Sequence, residues 1–334
     1  KACYALITVF VLFLSSFALL QIFLPAREYS AWENRYLAQM PAFSLQSVFN
    51  GSYMKDVEEA LGDQFYGREF WIGLKSTCER LLGKQENNDI YIGKEQTLIA
   101  RFNEPDQERF LKNIAAVNNL QKNLQDKNIV VSTALVPGAV SIWQNRVPFG
   151  APNGDQTALL KQAQEEMNSY VDIASVLQAH QEEALFYRTD HHWTTRGAYY
   201  AYAAICRAWQ LEPKPLPTKE QIKIVSDDFF GTMQSKAGLW FLKPDAIELW
   251  ADVEGATVRL MESDGSKEIP FYDESALDRK DQYQFFLGGN YPLLQIETGY
   301  TGEKLLVVKD SYANSLLPFF LPHFSQIDVI DLRF

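Results

Sequence analysis

Asp190-His191-His192-Trp193 and Lys309-Asp310-Ser311-Tyr312 are the two short runs whose residue types and spacing suit chemistry. In extended or loop backbone, side chains at i and i+2 point the same way and i+1 points opposite, so Asp190 reaches His192 more readily than His191. A carboxylate bonded to Nδ1 of an imidazole fixes its tautomer and leaves Nε2 free as a general base. That base needs a nucleophile from elsewhere in the chain. Ser311 fits, because the apolar run Leu305-Leu306-Val307-Val308 ends at Lys309-Asp310 and the serine then begins a helix. Its hydroxyl is thus expected at a strand-to-helix corner, where helix-terminal N–H groups can receive an oxyanion. The chemistry this suits is acyl transfer through an acyl-serine.

Each run also has a plainer reading. An Asp followed by His can serve a cap or a loop network, and Asp-Ser before a helix is most often an N-cap. The combination is what points to catalysis. Asp190, His191 and His192 are also plausible metal ligands, but three consecutive residues rarely all face one ion, and neither HExxH nor a second acidic cluster is present. No metal and no other cofactor is expected. Gly288-Gly289-Asn290 lacks the length and the Lys-Ser/Thr ending of a phosphate loop and reads as a turn, with oxyanion donation by Asn290 as an addition. His180 and His323 read as surface or core fillers, and Cys206 as packing on an aromatic-rich helix. Asn50-Gly51-Ser52 matches a glycosylation sequon by three residues only.

The elements that must position these groups follow an α-then-β rhythm. A helix is predicted over the run beginning Glu108-Arg109-Phe110, then an all-apolar strand from Asn128 to Gly138. A second helix begins near Ala158, and Leu185 to Gln210 reads as a strand end or loop entering a helix that Thr194 or Thr195 caps. Residues 211 to about 300 change to short β-like runs, read as an inserted antiparallel section, before the rhythm returns with Lys304–Val308 and Gln326–Leu332. Upstream, residues 27–105 read as a stem with an apolar helical face at Val57, Leu61, Phe65, Ile72, Leu74 and Leu81. Gly67-Arg68 breaks that stem, and a hairpin follows with Gly93-Lys94 near its turn. The closing strand-like run has no turn or cap after it, so further chain is expected beyond Phe334.

From Ala2 to Leu24 there are 23 residues without a charge, enough to cross a hydrocarbon core of about 30 Å at about 1.5 Å per residue. The apolar stretch exceeds the h-region of a signal peptide and lacks a small-x-small cleavage site, so residues 1–26 are expected to be a retained single-pass signal anchor. The body is then expected outside the cytoplasm, since such an anchor usually leaves its short end inside; flanking charges that decide topology are expected to lie before Lys1. Over 334 residues, 31 Lys and Arg against 42 Asp and Glu give a net charge of −11, which repels phosphate backbones and argues against nucleic acid as a partner. Cys3, Cys78 and Cys206 lie far apart, which removes the disulfide-dense and zinc-module classes.

With these residues assembled, the chain resembles the DHHW family, relatives of the SGNH-hydrolase-like O-acetyltransferases that act on alginate and similar exopolysaccharides. The resemblance is carried by Glu33-Asn34-Arg35, Asp63-Gln64-Phe65 with Gly67-Arg68, Val136-Pro137, Asp190-His191-His192-Trp193-Thr194, Phe230-Gly231-Thr232 with Ser235-Lys236, Gly288-Gly289-Asn290 and Lys309-Asp310-Ser311. It implies an α/β, SGNH-hydrolase-like, circularly permuted parallel sheet flanked by helices over residues 106–334, with the β-rich insertion at about 211–300. Asp190, His192 and Ser311 are then orienter, base and nucleophile. Tyr312, Asn290, Gly289, His191, Trp193, Ser235 and Lys236 are candidates for lining the oxyanion or substrate site, and Gly138 is a further oxyanion candidate. Lys309 stands where ordinary members have Gly, and no GxND block is evident. The implied activity is O-acetyl transfer to an exported polysaccharide. The resemblance also implies a multispanning membrane acyltransferase as donor, because acetyl-CoA is absent outside the cytoplasm. A carbohydrate esterase with the same triad and a non-catalytic glycan-binding protein remain the alternatives. Trp193, Tyr199 and Tyr312 are expected beside the site, where they could stack on sugar faces.

Overall fold

The uncharged N-terminal run forms one helix, Ala2–Phe23 (α1), none of whose residues is buried by the rest of the chain. It is long and apolar enough to cross a membrane. The computed structural model describes residues 1–334, and the chain divides into two compact units, Lys1–Lys84 with Gly238–Trp240, and Gln85–Ala237 with Phe241–Phe334.

In the first unit the expected break at Gly67-Arg68 separates Ser52–Asp63 (α2) from Arg68–Leu81 (α3), and Gly67 takes a left-handed φ of 69° that favours glycine. Charges tie the segment after α1 to this break. Arg35 donates to both Asp63 oxygens, at 2.7 and 2.5 Å, and Arg68 Nε donates to Glu33 at 2.8 Å. The predicted apolar face is not a buried one: Leu61, Leu74 and Leu81 remain exposed, and apart from the paired Asp63 what the two helices bury is small, Ala60, Gly73 and Ser76. A Cβ on Gly73 would stand 1.9 Å from the Trp240 ring, so this contact requires a glycine.

The second unit opens with a three-stranded antiparallel sheet, Glu86–Asn87 (β1), Ile90–Ile92 (β2) and Leu98–Ala100 (β3). The hairpin foreseen around Gly93-Lys94 is its β2–β3 pair, with Ile90 opposite Ala100 and Ile92 opposite Leu98. It packs with this unit and not with a stem reaching residue 105, because Leu98 and Ile99 are fully buried and Leu98 N–H bonds the Arg188 carbonyl at 2.7 Å. Helices Gln107–Gln125 (α4), Gln156–Glu166 (α5) and Ile173–Ala179 (α6) follow, each capped by an aspartate: Asp106, Asp155 and Asp172. The strand predicted from Asn128 to Gly138 is reduced to one parallel bridge, Thr133 to Tyr170. Pro137 removes a ladder donor there, and Ile129 and Val130 stay exposed. Of the two candidate caps for the helix Thr195–Ala208 (α7), Thr194 does it.

Lys223–Phe229 (β4) and Asp245–Leu249 (β5) form a bulged antiparallel ribbon that brackets the short helix Thr232–Ala237 (α8). The remaining strands, Thr257–Glu262 (β6), Gly265–Ile269 (β7), Leu293–Glu297 (β8), Lys304–Val308 (β9) and Gln326–Ile330 (β10), make one sheet in the order β9-β10-β8-β6-β7. Only β9 and β10 pair in parallel. The section expected as an inserted antiparallel stretch supplies three strands of this sheet, because Val258, Leu294 and Ile296 bury into the same core as Ile327 and Val329. α7 supplies Ala198, Ala201, Tyr202 and Ile205 to that core.

Candidate active site

The loop carrying Asp190 closes on itself. Phe186 pairs with Trp193 in an antiparallel bridge, Tyr187 N–H bonds the His192 carbonyl at 3.1 Å, and Thr194 N–H bonds the Leu185 carbonyl at 2.9 Å. Asp245 on β5 anchors the loop from below the turn, accepting from Arg188 N–H at 3.0 Å and from the Thr189 N–H and hydroxyl at 2.8 and 2.6 Å. With residues 188 and 189 fixed, Asp190 and His192 project to the same side. Asp190 Oδ1 bonds His192 Nδ1 at 2.5 Å, and His192 Nε2 lies 2.8 Å from Ser311 Oγ.

Asp190 is 1% exposed, so an unpaired charge there would be costly. Each of its oxygens has two donors: Oδ1 takes His192 N–H and Nδ1, and Oδ2 takes the Thr232 N–H and hydroxyl, both at 2.8 Å. Burial alone would raise this carboxyl; the adjoining His192 and its hydrogen bonds overcome that and hold it well below the usual carboxylate range. The carboxylate is thus a fixed negative partner for an imidazolium. The His192 ring is sandwiched, stacked on Tyr283 at 3.7 Å between centroids and edge-on to Tyr312 at 5.1 Å.

Ser311 sits where the sequence placed it. β9 ends at Val308, Lys309 N–H still bonds the Ile330 carbonyl at 2.9 Å, and a 3-10 helix, Ser311–Ser315, begins under an Asp310 cap. The cap consumes a donor, since Tyr312 N–H bonds Asp310 Oδ1 at 3.0 Å, while Ala313 N–H bonds the Asp310 carbonyl at 3.3 Å. Ser311 N–H has no acceptor in the protein. Asn290 and Gly289 bond the residues flanking Ser311, not Ser311 itself: Asn290 Oδ1 accepts from Lys309 Nζ at 2.8 Å and from Asn314 Nδ2 at 3.3 Å, and the Gly289 carbonyl accepts from Asn314 Nδ2 at 3.1 Å. Lys309, almost wholly buried, also lies 3.6 Å from Asp331, and burial pulls its pKa down to about 8. A lysine where a glycine was expected therefore serves as a buried brace.

The other candidates divide. Tyr312 is half-buried beside the histidines, its hydroxyl donating to the His191 carbonyl at 2.6 Å. His191 turns its Nδ1 to Thr232 Oγ1 at 3.0 Å and leaves part of its ring exposed; burial pushes its pKa down. Trp193 is 0% exposed and donates to the Tyr312 carbonyl at 2.9 Å and Ser315 Oγ at 3.0 Å, so it fastens the segments carrying His192 and Ser311 together and offers no face to a sugar. Tyr199 is likewise buried, with its hydroxyl on the Lys214 carbonyl. Ser235 is buried with an unpartnered hydroxyl, and Lys236 is exposed, its carbonyl accepting from Asn88 at 2.8 Å. Gly138 N–H is committed to Gln156 at 2.9 Å. The potential ligand atoms of Asp190, His191 and His192 do converge, within 4.8 Å of one another, against the expectation that consecutive residues diverge. The Asp190 oxygens and the Nδ1 atoms of both histidines are nonetheless already engaged in the hydrogen bonds above, an arrangement that suits a proton relay better than a cation. Cys206 is buried and its thiol is raised to about 11, as a packing residue would be.

Sequence reasoning missed Tyr283, whose hydroxyl donates to the Ser311 carbonyl at 3.1 Å while its ring carries His192. It also missed Asp245 and Ser315. Nothing local marks these residues, since each acts on a segment remote in the chain. Thr232 and Gly231 had a signal in the Phe230-Gly231-Thr232 run but no role until the fold set them against Asp190.

Residues 94–237 match the family described as the SGNH hydrolase-like domain of the acetyltransferase AlgX. That stretch contains Asp190, His192, Gly231 and Thr232 and ends before Ser311. Over 204 residues, 55% of this chain, the sequence is 24% identical to a probable alginate O-acetylase AlgJ of Pseudomonas syringae pv. tomato, and the chain spans about half (51%) of the length of that curated relative. Among solved structures, a DHHW family protein from Eubacterium siraeum superposes with a TM-score of 0.60 at 23% identity, covering 75% of this chain and 84% of that one. Bacillus cereus PatB1, solved with a sulfonyl adduct, also gives 0.60, at 19% identity over 74% of this chain and 88% of that one. The fold is SGNH-hydrolase-like, shared with the DHHW family protein and with PatB1, and residues 94–237 are similar to the SGNH hydrolase-like domain of the acetyltransferase AlgX.

Proposed function

We propose that this chain is a membrane-anchored, serine-dependent O-acetyltransferase acting on a cell-surface or exported polysaccharide. The observation that carries the reading is the unbroken relay from Asp190 through His192 to Ser311. In the first half-reaction Ser311 Oγ gives its proton to His192 Nε2 and attacks the acetyl carbon, and the donor's oxygen or sulfur leaves with that proton. In the second, a sugar hydroxyl gives its proton to His192 and attacks the acetyl-serine, whose Oγ departs and recovers the proton. Asp190, held as a carboxylate, stabilises the imidazolium in both. Ser311 N–H, an amide at this corner without an acceptor, is the donor we assign to the oxyanion.

The anchor reading rests on α1. With the body outside the cytoplasm, the acetyl donor would be a multispanning membrane acyltransferase, and the relationship to AlgJ and AlgX supports a polysaccharide acceptor. Incubating the full chain in detergent with an activated acetyl ester and a panel of polysaccharide fragments tests the reading. Acetylated fragment that exceeds free acetate, and is absent with His192→Ala, is expected. Free acetate alone would make the enzyme an esterase, and neither product from folded protein would leave glycan binding.

A further inference from the structure

Beyond catalysis, and resting on the reading of α1 as a membrane span, we infer that the α2–α3 turn of the stem is embedded in the lipid interface beside α1, with Phe65, Tyr66, Phe70 and Trp71 as its lipid-facing surface. Phe17 of α1 is the contact that fixes the depth. Phe65 stacks on it at 5.3 Å with ring planes 8° apart, Trp71 meets it edge-on at 5.9 Å, and Tyr66 at 6.3 Å. Phe17 lies six residues before the end of α1 at Phe23, which is about 9 Å along the helix axis at about 1.5 Å per residue. Rings packed at that level of a spanning helix lie within the outer part of the hydrocarbon layer.

Polar bonds hold the turn there. Gln64 brackets the main chain of Arg27, accepting its N–H at 2.8 Å and donating to its carbonyl at 2.8 Å. Glu69 takes Arg27 Nη1 at 3.1 Å and Ser30 Oγ at 2.9 Å. These charged groups gather just past the end of α1, while the rings lie along it: the amphipathic division, with aromatics at the boundary, that an interface favours. The rings are otherwise poorly covered, since Phe70 is 53%, Tyr66 48% and Phe65 40% exposed, and Leu74 continues the same apolar surface. An aromatic patch contiguous with a membrane helix has lipid as its partner.

The experiment uses the full chain in liposomes, with the exposed Cys3 and Cys78 replaced by Ser and single environment-sensitive fluorophores at Tyr66→Cys, Ser16→Cys and Lys55→Cys. Quenching by spin-labelled lipid is read at each position. The expected result is strong quenching at 16 and 66 and severalfold weaker quenching at 55. Quenching at 16 without quenching at 66 overturns the inference and leaves the anchor intact. Loss of quenching at both overturns the anchor reading as well. A blue-shifted but unquenched label at 66 would mean that a second copy of the chain covers the patch, and also overturns it. Phe70→Cys reads the same surface if circular dichroism shows that Tyr66→Cys unfolds the stem.

Discussion

Four hydrogen bonds converge on Asp190, two on each oxygen, and a carboxamide in its place could satisfy only part of that set. Asp190→Asn is isosteric, so the chain should fold, but its NH₂ cannot serve as a two-acceptor anion and would favour the wrong imidazole tautomer. Acyl transfer is expected to fall by about 10⁴-fold, as for the orienting carboxylate of serine proteases; a steady-state assay with an activated ester checks it, with circular dichroism reporting the fold. Gly231 makes a second case. A Cβ there would stand 2.2 Å from the Asp190 Cβ and 2.5 Å from its Oδ2, so Gly231→Ala must displace the carboxylate, at about 1–3 kcal/mol of overpacking. Thermal denaturation should register that loss, and the rate should drop by more than the unfolded fraction explains.

At the scale of elements, two ion pairs contribute to the acid sensitivity of the fold. The Arg35 hydrogen bond in the stem pulls the Asp63 carboxyl down to about 2, and Arg333 does the same for Asp331 after β10. Unfolded aspartate titrates near about 3.9. Both groups therefore contribute stability that is fully present above about pH 4 and disappears as pH falls through 2. Melting temperature should decline between pH 4 and pH 2, and Asp63→Asn should flatten that decline for the first unit. The elements themselves were unequally legible. α4, α7, the Gly93 hairpin and the β9-to-Ser311 corner were readable because caps, turn glycines and period are local signals. The pairing of β8 with both β6 and β10 was not, because Leu294 and Ile296 alternate as strand residues without saying which neighbours will flank them. The hydrogen-bonded set Asp190, His192 and Ser311, the proposed triad, was legible for the same local reason, while Tyr283 and Asp245 gained their contacts only from long-range packing.

For the molecule as a whole, α1 makes two demands. The intact chain should stay with the membrane fraction through alkaline carbonate extraction, and a version lacking residues 1–26 should move to the supernatant; release of the intact chain would mean that α1 does not span. The net charge of −11 leaves nucleic acid unattracted, and under the proposed function an acidic polysaccharide acceptor would have to be held by shape and hydrogen bonds more than by charge. The central claim is that Ser311 carries the acyl group, and intact-mass spectrometry after brief exposure to an activated acetyl ester tests it most directly. One acetyl per chain, mapped to Ser311, absent in Ser311→Ala and formed far more slowly in His192→Ala, is the expected result. An adduct on another residue, or none on a chain that circular dichroism shows to be folded, would contradict it.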